Sequence, residues 1–254
     1  MKKSNWLIWI LFTAGAMGLR AWQMLAGFES SGLAKHGFVP GLLLPAVLLA
    51  AALLFALRAR TLPARRDDVL RLRREFRFAD NLPAVLCVVT GSFLVMLSGG
   101  LFAVSAAGSV TRLLLALFAA ASGACALYVV FALYRGSDAQ GIALLVPICA
   151  LIDFLVYLYR ADASDPVLAR TYIEILAVAA LTLSTTQRAA FVFGGSAPRR
   201  YVPVSAVAAL LALTAAVEGG GLSRLALLVG CAAVELGFLA AADFEASAAV
   251  PPSA

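Results

Sequence analysis

Long runs of hydrophobic residues, each close to the length of a membrane-crossing helix, alternate along the chain with short polar stretches. A helix needs roughly 20 mostly apolar residues to cross the hydrocarbon core of a bilayer. The pattern therefore predicts an all-α, polytopic integral membrane helix bundle with about eight transmembrane helices. The predicted spans are 5–25, 39–57, 82–104, 110–134, 141–159, 167–191, 201–217 and 222–241.

Two of these runs leave an alternative open. Run 201–217 is short and rich in alanine, so a bundle of seven spans is the alternative. Run 5–25 follows Lys2 and Lys3, and a charged start before an apolar run is also typical of a cleavable signal peptide. In either case we predict a single transmembrane domain over 1–241 and a disordered cytoplasmic tail over 242–254.

The composition agrees with a membrane protein. The chain is 63% hydrophobic and 13% charged, whereas soluble domains carry about 25% charged residues. Its net charge of +6 would also fit a protein that binds nucleic acid. Because the basic residues lie in loops beside apolar runs, we expect them to contact the lipid bilayer and its anionic head groups, and we expect no nucleic-acid binding.

Segment 58–78 is strongly basic and separates the second run from the third. It holds eight of the chain's 20 Lys and Arg residues, and short loops with such an excess stay on the cytoplasmic side. This orientation places both termini in the cytoplasm, and we expect the protein in the cytoplasmic membrane of a prokaryotic cell. The arginines expected at the membrane surface are Arg65, Arg66, Arg71, Arg73, Arg74 and Arg77.

The later part of this basic loop also has helical periodicity. Val69, Leu72 and Phe76 recur at helical spacing with arginines between them, which predicts a short interfacial helix on the membrane surface. The alternative is a solvated loop that only sets the topology. Orientation alone explains the charge, so no function has to be assigned to the helix.

Ionisable side chains inside the predicted spans are the candidate functional residues, because a charge in lipid needs a partner, water or a role. Arg20, Asp153 and Glu174 fall at similar depths in the outer halves of their helices, at a rise of about 1.5 Å per residue. The hypothesis is an outward-facing polar pocket that binds a small solute or an ion and makes the protein a transport module. Its residues are Arg20, Gln23, Asp153, Arg170, Tyr172 and Glu174.

The alternative interpretation is that these charges are structural. Arg20 would pair with Asp153, and Arg170 would pair with Glu174 one turn later, so that the helices are held in register. The protein would then be a non-catalytic membrane subunit or scaffold, and another membrane protein would be its partner. The sequence alone leaves both interpretations open.

Glu235 is separate from that group, because it lies in the last span with no basic residue at a comparable depth. A lone carboxyl group in the membrane is a candidate proton site. The four cysteines lie in different runs without CxxC spacing, and the single histidine, His36, lies in a loop. No metal site, disulfide or cofactor is therefore expected. The sequence carries no catalytic or phosphate-binding motif, so an enzymatic activity has no positive support.

Overall fold

The computed structural model describes residues 3–28, 39–62, 76–137, 141–162, 168–193, 197–218 and 220–242, without the side chains of 3–5, 161–162 and 168–171. These residues form eight α-helices, which confirms the all-α prediction. Each helix begins and ends within a few residues of one predicted run. The helices are α1 Lys3–Ala26, α2 Val39–Arg58, α3 Leu82–Val104, α4 Val110–Tyr134, α5 Gly141–Asp162, α6 Leu168–Ala190, α7 Pro198–Ala216 and α8 Leu222–Ala241.

Five of the eight described helices are long and apolar enough to cross a membrane, which makes this a membrane-embedded helical protein. They are α2 with the 3-10 turn Ala59–Thr61 that extends it, α3, α4, α5 and α8. Large apolar side chains remain exposed on the outside of the bundle, as a lipid-facing surface requires. Examples are Leu25, Leu42, Val104 and Ile142.

Helices α3 to α8 form a closed ring. Each packs against the next in chain order, and α8 returns to pack along α3. The hairpin of α1 and α2 lies outside this ring against α7, where the indole N–H of Trp9 donates to the carbonyl oxygen of Ala206 at 2.9 Å. The ring determines which polar side chains meet, because residues on the inner helix faces point toward a common centre.

The contact between α3 and α8 that closes the ring depends on glycine. A Cβ atom added to Gly91 would lie 2.6 Å from the backbone oxygen of Gly230, and one added to Gly230 would lie 2.7 Å from the backbone oxygen of Gly91. Non-bonded atoms do not approach so closely, so any side chain here would push the helices apart. Small residues allow this direct backbone contact between membrane helices.

The end of the basic loop closes one end of the ring. Phe76 is 1% exposed, and its ring meets three others edge to face, at centroid distances between 5.4 and 5.7 Å. The backbone N–H of Arg77 donates to the carbonyl oxygen of Ala241 at 2.8 Å, which fixes this segment to the end of α8. We call this cluster the aromatic plug: Phe76, Phe78, Phe191, Tyr201 and Phe238.

The buried position of Phe76 differs from the predicted interfacial helix, in which it faced the membrane surface. The reason is that the ends of α6, α7 and α8 leave an apolar space that this side chain fills. Val69 and Leu72 lie outside the described residues. So do the tail 243–254 and five of the surface arginines, Arg65, Arg66, Arg71, Arg73 and Arg74.

Candidate functional site

Arg20 pairs with a carboxylate other than the predicted Asp153. Its Nη2 donates to Oε1 of Glu218 at 2.7 Å, and its Nη1 donates to Oε1 of Gln23 at 2.7 Å. The guanidinium is fully buried and lies 5.5 Å from the centre of the Tyr172 ring. The predicted pair is wrong because α1 packs against α7, and the described carboxylate that Arg20 meets there is the one just beyond the end of α7.

Glu174 of α6 pairs with Arg224 in the first turn of α8. The Nη1 atom of Arg224 lies 3.1 Å from Oε2 of Glu174, and its guanidinium lies 5.6 Å from the centre of the Tyr157 ring. Arg170, the partner expected from helical spacing, has no described side chain. The predicted span 222–241 already contained Arg224 near its start, but the sequence does not show that its side chain reaches Glu174 on another helix.

These two ion pairs belong to one network, which we call the Arg20 cluster. Burial raises the pKa of Glu218 to about 7; the nearby arginines, Arg20 and Arg224, oppose this shift, and Glu174 adds to it. With two arginines and two glutamates, the described charges balance, which suits a role in holding α1, α6 and α8 together. The members are Arg20, Gln23, Tyr157, Tyr172, Glu174, Glu218 and Arg224.

Asp153 joins neither pair. It is half-buried on α5, and its Oδ2 atom is buried with no hydrogen-bond partner among the residues that the structure describes. The similar depth of Arg20, Asp153 and Glu174 was therefore insufficient to predict contact. Two of these three side chains share a network, and no ion pair between described residues joins the third to it.

Glu235 has a basic partner, unlike the lone carboxyl group predicted from the sequence. Oε1 of Glu235 lies 3.1 Å from Nη1 of Arg188 on α6. Its Oε2 accepts hydrogen bonds from Ser184 at 2.7 Å and from Ser205 at 2.8 Å. The prediction of a lone carboxyl group is wrong because Arg188, near the end of its span, turns its long side chain back into the bundle. Both charged residues are 3% exposed or less.

Arg188 is held from the other side by the aromatic plug. Its guanidinium lies over the Phe238 ring, 4.2 Å from the centre, which is a cation–π geometry. Its Nε atom is buried and has no hydrogen-bond partner in the described part of the chain. Buried polar groups are normally hydrogen-bonded, so this N–H is a donor available to a bound molecule.

A cavity of about 30 Å³ lies inside the ring beside this ion pair. This volume holds about two water molecules. Residues of α3, α4, α5, α6 and α8 line it, and its charged walls are Arg188 and Glu235. Three small residues of α4, Ala119, Ser122 and Gly123, are among its lining residues. The cavity therefore has one polar end and mostly apolar walls.

No group of three or more His, Cys, Asp and Glu side chains within the described ranges is placed to hold a metal ion. Comparison with protein-family models, with curated proteins and with solved structures gave no match. The chemistry of the cavity and of its ion pair is therefore the basis for a function.

Proposed function

We propose that this protein is a multi-pass transporter of eight transmembrane helices, and that the cavity beside Arg188 and Glu235 is its binding site for a small solute. The observation that supports this is a cavity inside a closed helix ring, with a buried ion pair at one end. A charged pair in the centre of a membrane bundle is expensive, so its position beside a cavity favours a functional role.

The count of eight includes α1, α6 and α7, which contain 24, 23 and 19 residues. At about 1.5 Å per residue, each is close to the length needed to cross the bilayer. The basic loop favours cytoplasmic termini. In that orientation the Arg20 cluster lies toward the outside, and the aromatic plug with the Arg188 pair lies toward the cytoplasm.

The two ion pairs between α6 and α8 support a transport role. At one end the acid, Glu174, is on α6 and the base, Arg224, is on α8; at the other end Arg188 is on α6 and Glu235 is on α8. These helices are not among the closely packed pairs of the described bundle. Separation at one pair would open the space between the helices to one side of the membrane, while the other pair stayed closed.

The cavity is a better candidate than the outward-facing pocket predicted from the sequence. In the Arg20 cluster the described charges are matched, and Asp153 takes no part in it. Solute binding there would have to break a buried ion pair. Beside the cavity, the Nε–H group of Arg188 has no hydrogen-bond partner among the residues that the structure describes.

A second candidate function is that of a non-catalytic membrane subunit, and Asp153 favours it. A half-buried carboxyl group on α5, with an oxygen that has no described partner, would be satisfied by a basic or hydrogen-bonding side chain of another membrane protein. A test of this candidate is whether Asp153→Asn releases a co-purifying membrane protein that the wild type retains.

The proposed transport function is tested by thermal unfolding of the purified protein in detergent with small acids, amides, alcohols and amines. A solute that binds only the folded state raises the unfolding midpoint with its concentration. Ala119→Val adds two methyl groups to a cavity wall. Ala124→Val adds the same groups on the exposed face of α4 and is the matched control.

We expect at least one solute to stabilise the wild type and Ala124→Val while its effect on Ala119→Val is much smaller. Uptake of that solute into proteoliposomes should show the same order. If every solute affects Ala119→Val and Ala124→Val equally, the cavity is not a binding site and the subunit interpretation is favoured.

A further inference from the structure

We propose that the solute is a small monocarboxylic acid that binds with its proton, the carboxylate on Arg188 and the proton on Glu235. This inference rests on the proposed role of the cavity as the solute site, and it adds the chemical class of the solute.

The first support is the set of hydrogen bonds around the ion pair. The Oε2 atom of Glu235 accepts from two serine hydroxyls, and Oε1 contacts Arg188 at 3.1 Å. The oxygens of Glu235 are thus already engaged, whereas Nε of Arg188 has no hydrogen-bond partner within the described residues. A molecule entering this site meets a free donor, so it must bring an acceptor.

The second support is the balance of charge. Arg188 and Glu235 neutralise each other, and both are almost fully buried. An anion that arrives alone would leave the site with a net negative charge, and an uncompensated charge in a low-dielectric interior is very costly. A weak acid avoids this cost because the anion and its proton together carry no net charge.

The binding step follows from the two positions. The acid gives its proton to the carboxylate of Glu235, which becomes a neutral carboxyl group, and the resulting carboxylate pairs with the guanidinium of Arg188. One O–H bond breaks and one O–H bond forms, so the number of protons and charges in the site is that of the ion pair plus a neutral acid. Arg188 exchanges one carboxylate partner for another, and planar carboxylates fit its forked donors well.

The third support is the size and lining of the cavity. About 30 Å³ admits a molecule of a few heavy atoms. The walls away from the ion pair are apolar and include Leu115, Leu151 and Leu227. A carboxyl group attached to one methyl group, as in acetic acid, matches a polar end and a short apolar body. A phosphate group would need more donors than this site offers.

The other titratable groups around Glu235 do not replace it as proton acceptor. Arg188 faces it from α6 and Tyr201 faces it from α7, and Cys231 lies one helical turn away on α8. On α3, the residues in contact with this part of α8 include Ala84, Val88, Gly91 and Val95, which are uncharged. Glu235 is the carboxylate among these groups, and it lies against the arginine that would bind the anion.

The test measures binding of acetate, methanesulfonate, acetamide and butyrate to the full-length protein in detergent, by calorimetry and thermal unfolding across the neutral pH range. Methanesulfonate has the charge and nearly the size of acetate, but its three oxygens are not coplanar, so it tests the preference of Arg188 for a planar carboxylate. Acetamide is a neutral acceptor of the same size, and butyrate is too long for the cavity. We expect acetate to bind about tenfold more tightly for each pH unit lowered, with uptake of about one proton, and the other three to bind weakly.

Glu235→Gln separates the roles of the two residues, because it keeps the shape of the side chain but cannot take the proton. It leaves Arg188 with an uncompensated positive charge, so we expect acetate to bind this variant without pH dependence and without proton uptake. Proton uptake by the wild type on acetate binding gives the same information if the variant does not fold.

Each remaining outcome contradicts a specific part of the proposal. If acetate binds the wild type without proton uptake and without pH dependence, the requirement for a proton is wrong. If acetate does not bind, and acetamide binds the wild type and Ala124→Val but not Ala119→Val, the solute class is wrong but the cavity remains the solute site. If no probe binds, and the solute panel leaves Ala119→Val and Ala124→Val indistinguishable, both the class and the site are wrong.

Discussion

Arg188 and Glu235 face each other from α6 and α8, with Nη1 and Oε1 3.1 Å apart, although the two helices are not closely packed against each other. Long side chains therefore span a gap that the backbones leave open, and the cavity lies in that gap. The ion pair therefore stabilises the folded bundle and also forms part of the proposed binding site.

Loss of one member of this pair should destabilise the protein strongly. Arg188→Met leaves Glu235 buried without its counter-charge, and removal of one partner from a buried pair costs about 3–5 kcal/mol. We expect the double variant Arg188→Met/Glu235→Gln to regain most of the lost free energy of unfolding, because no unpaired charge remains. The measurement is unfolding in mixed micelles, and a double variant no more stable than Arg188→Met would contradict the pairing.

Arg20 and Asp153 should behave independently. Arg20→Met is expected to lower the unfolding midpoint, with partial recovery in Arg20→Met/Glu218→Gln, because Glu218 is the described carboxylate that pairs with Arg20. Asp153→Asn should leave the midpoint nearly unchanged, since Oδ2 loses no described hydrogen bond. Recovery of Arg20→Met by Asp153→Asn would show instead that these two residues are the pair.

The stability of the protein should depend on pH through Glu218. Its pKa is raised to about 7 in the folded protein from an ordinary value of 4.5. Because the folded state prefers the protonated carboxyl group, the resulting stability is fully present below about 4.5 and is lost as the pH rises through about 7. We expect the wild type to lose stability over this range relative to Glu218→Gln.

A difference between wild type and Glu218→Gln that does not change with pH would contradict the assignment. The charged groups near Glu218 are Arg20, Glu174 and Arg224. A second variant, Glu174→Gln, separates the contribution of the neighbouring carboxylate: it should shift the transition of Glu218 to lower pH without abolishing it.

Alanine at the closest approach of α3 and α8 should disrupt the ring. In Gly91→Ala the new Cβ would meet the backbone of α8 at 2.6 Å, and backbone atoms there cannot move aside. Gly100→Ala is the matched control on the same helix, because nothing lies within 4 Å of its added Cβ. We expect a lower yield of folded protein and a lower unfolding midpoint for Gly91→Ala, and an unchanged or slightly higher midpoint for Gly100→Ala. Equal midpoints would contradict the close contact.

The helices were predictable from the sequence because the length and position of an apolar run are encoded locally. The partners of the buried charges were not. Hydropathy gives the depth of Arg20 and Glu174 but not their neighbours, which follow from the ring order and from the position of α1 against α7. Glu218, Arg188 and Arg224 were assigned to span ends or loops, although a long side chain near a helix end can reach back into the bundle.

The closed ring also bears on how the chain is made. The face of α3 that carries Gly91 is covered only when α8, the last helix of the described chain, packs against it. Asn81, at the start of α3, likewise donates through Nδ2 to the carbonyl oxygen of Ala240 at the far end of α8. During synthesis the first helix of the ring therefore remains exposed to lipid, or to other membrane proteins, until translation of α8 is complete. Chains that stop before α8 should be recognised by membrane quality control as unfinished.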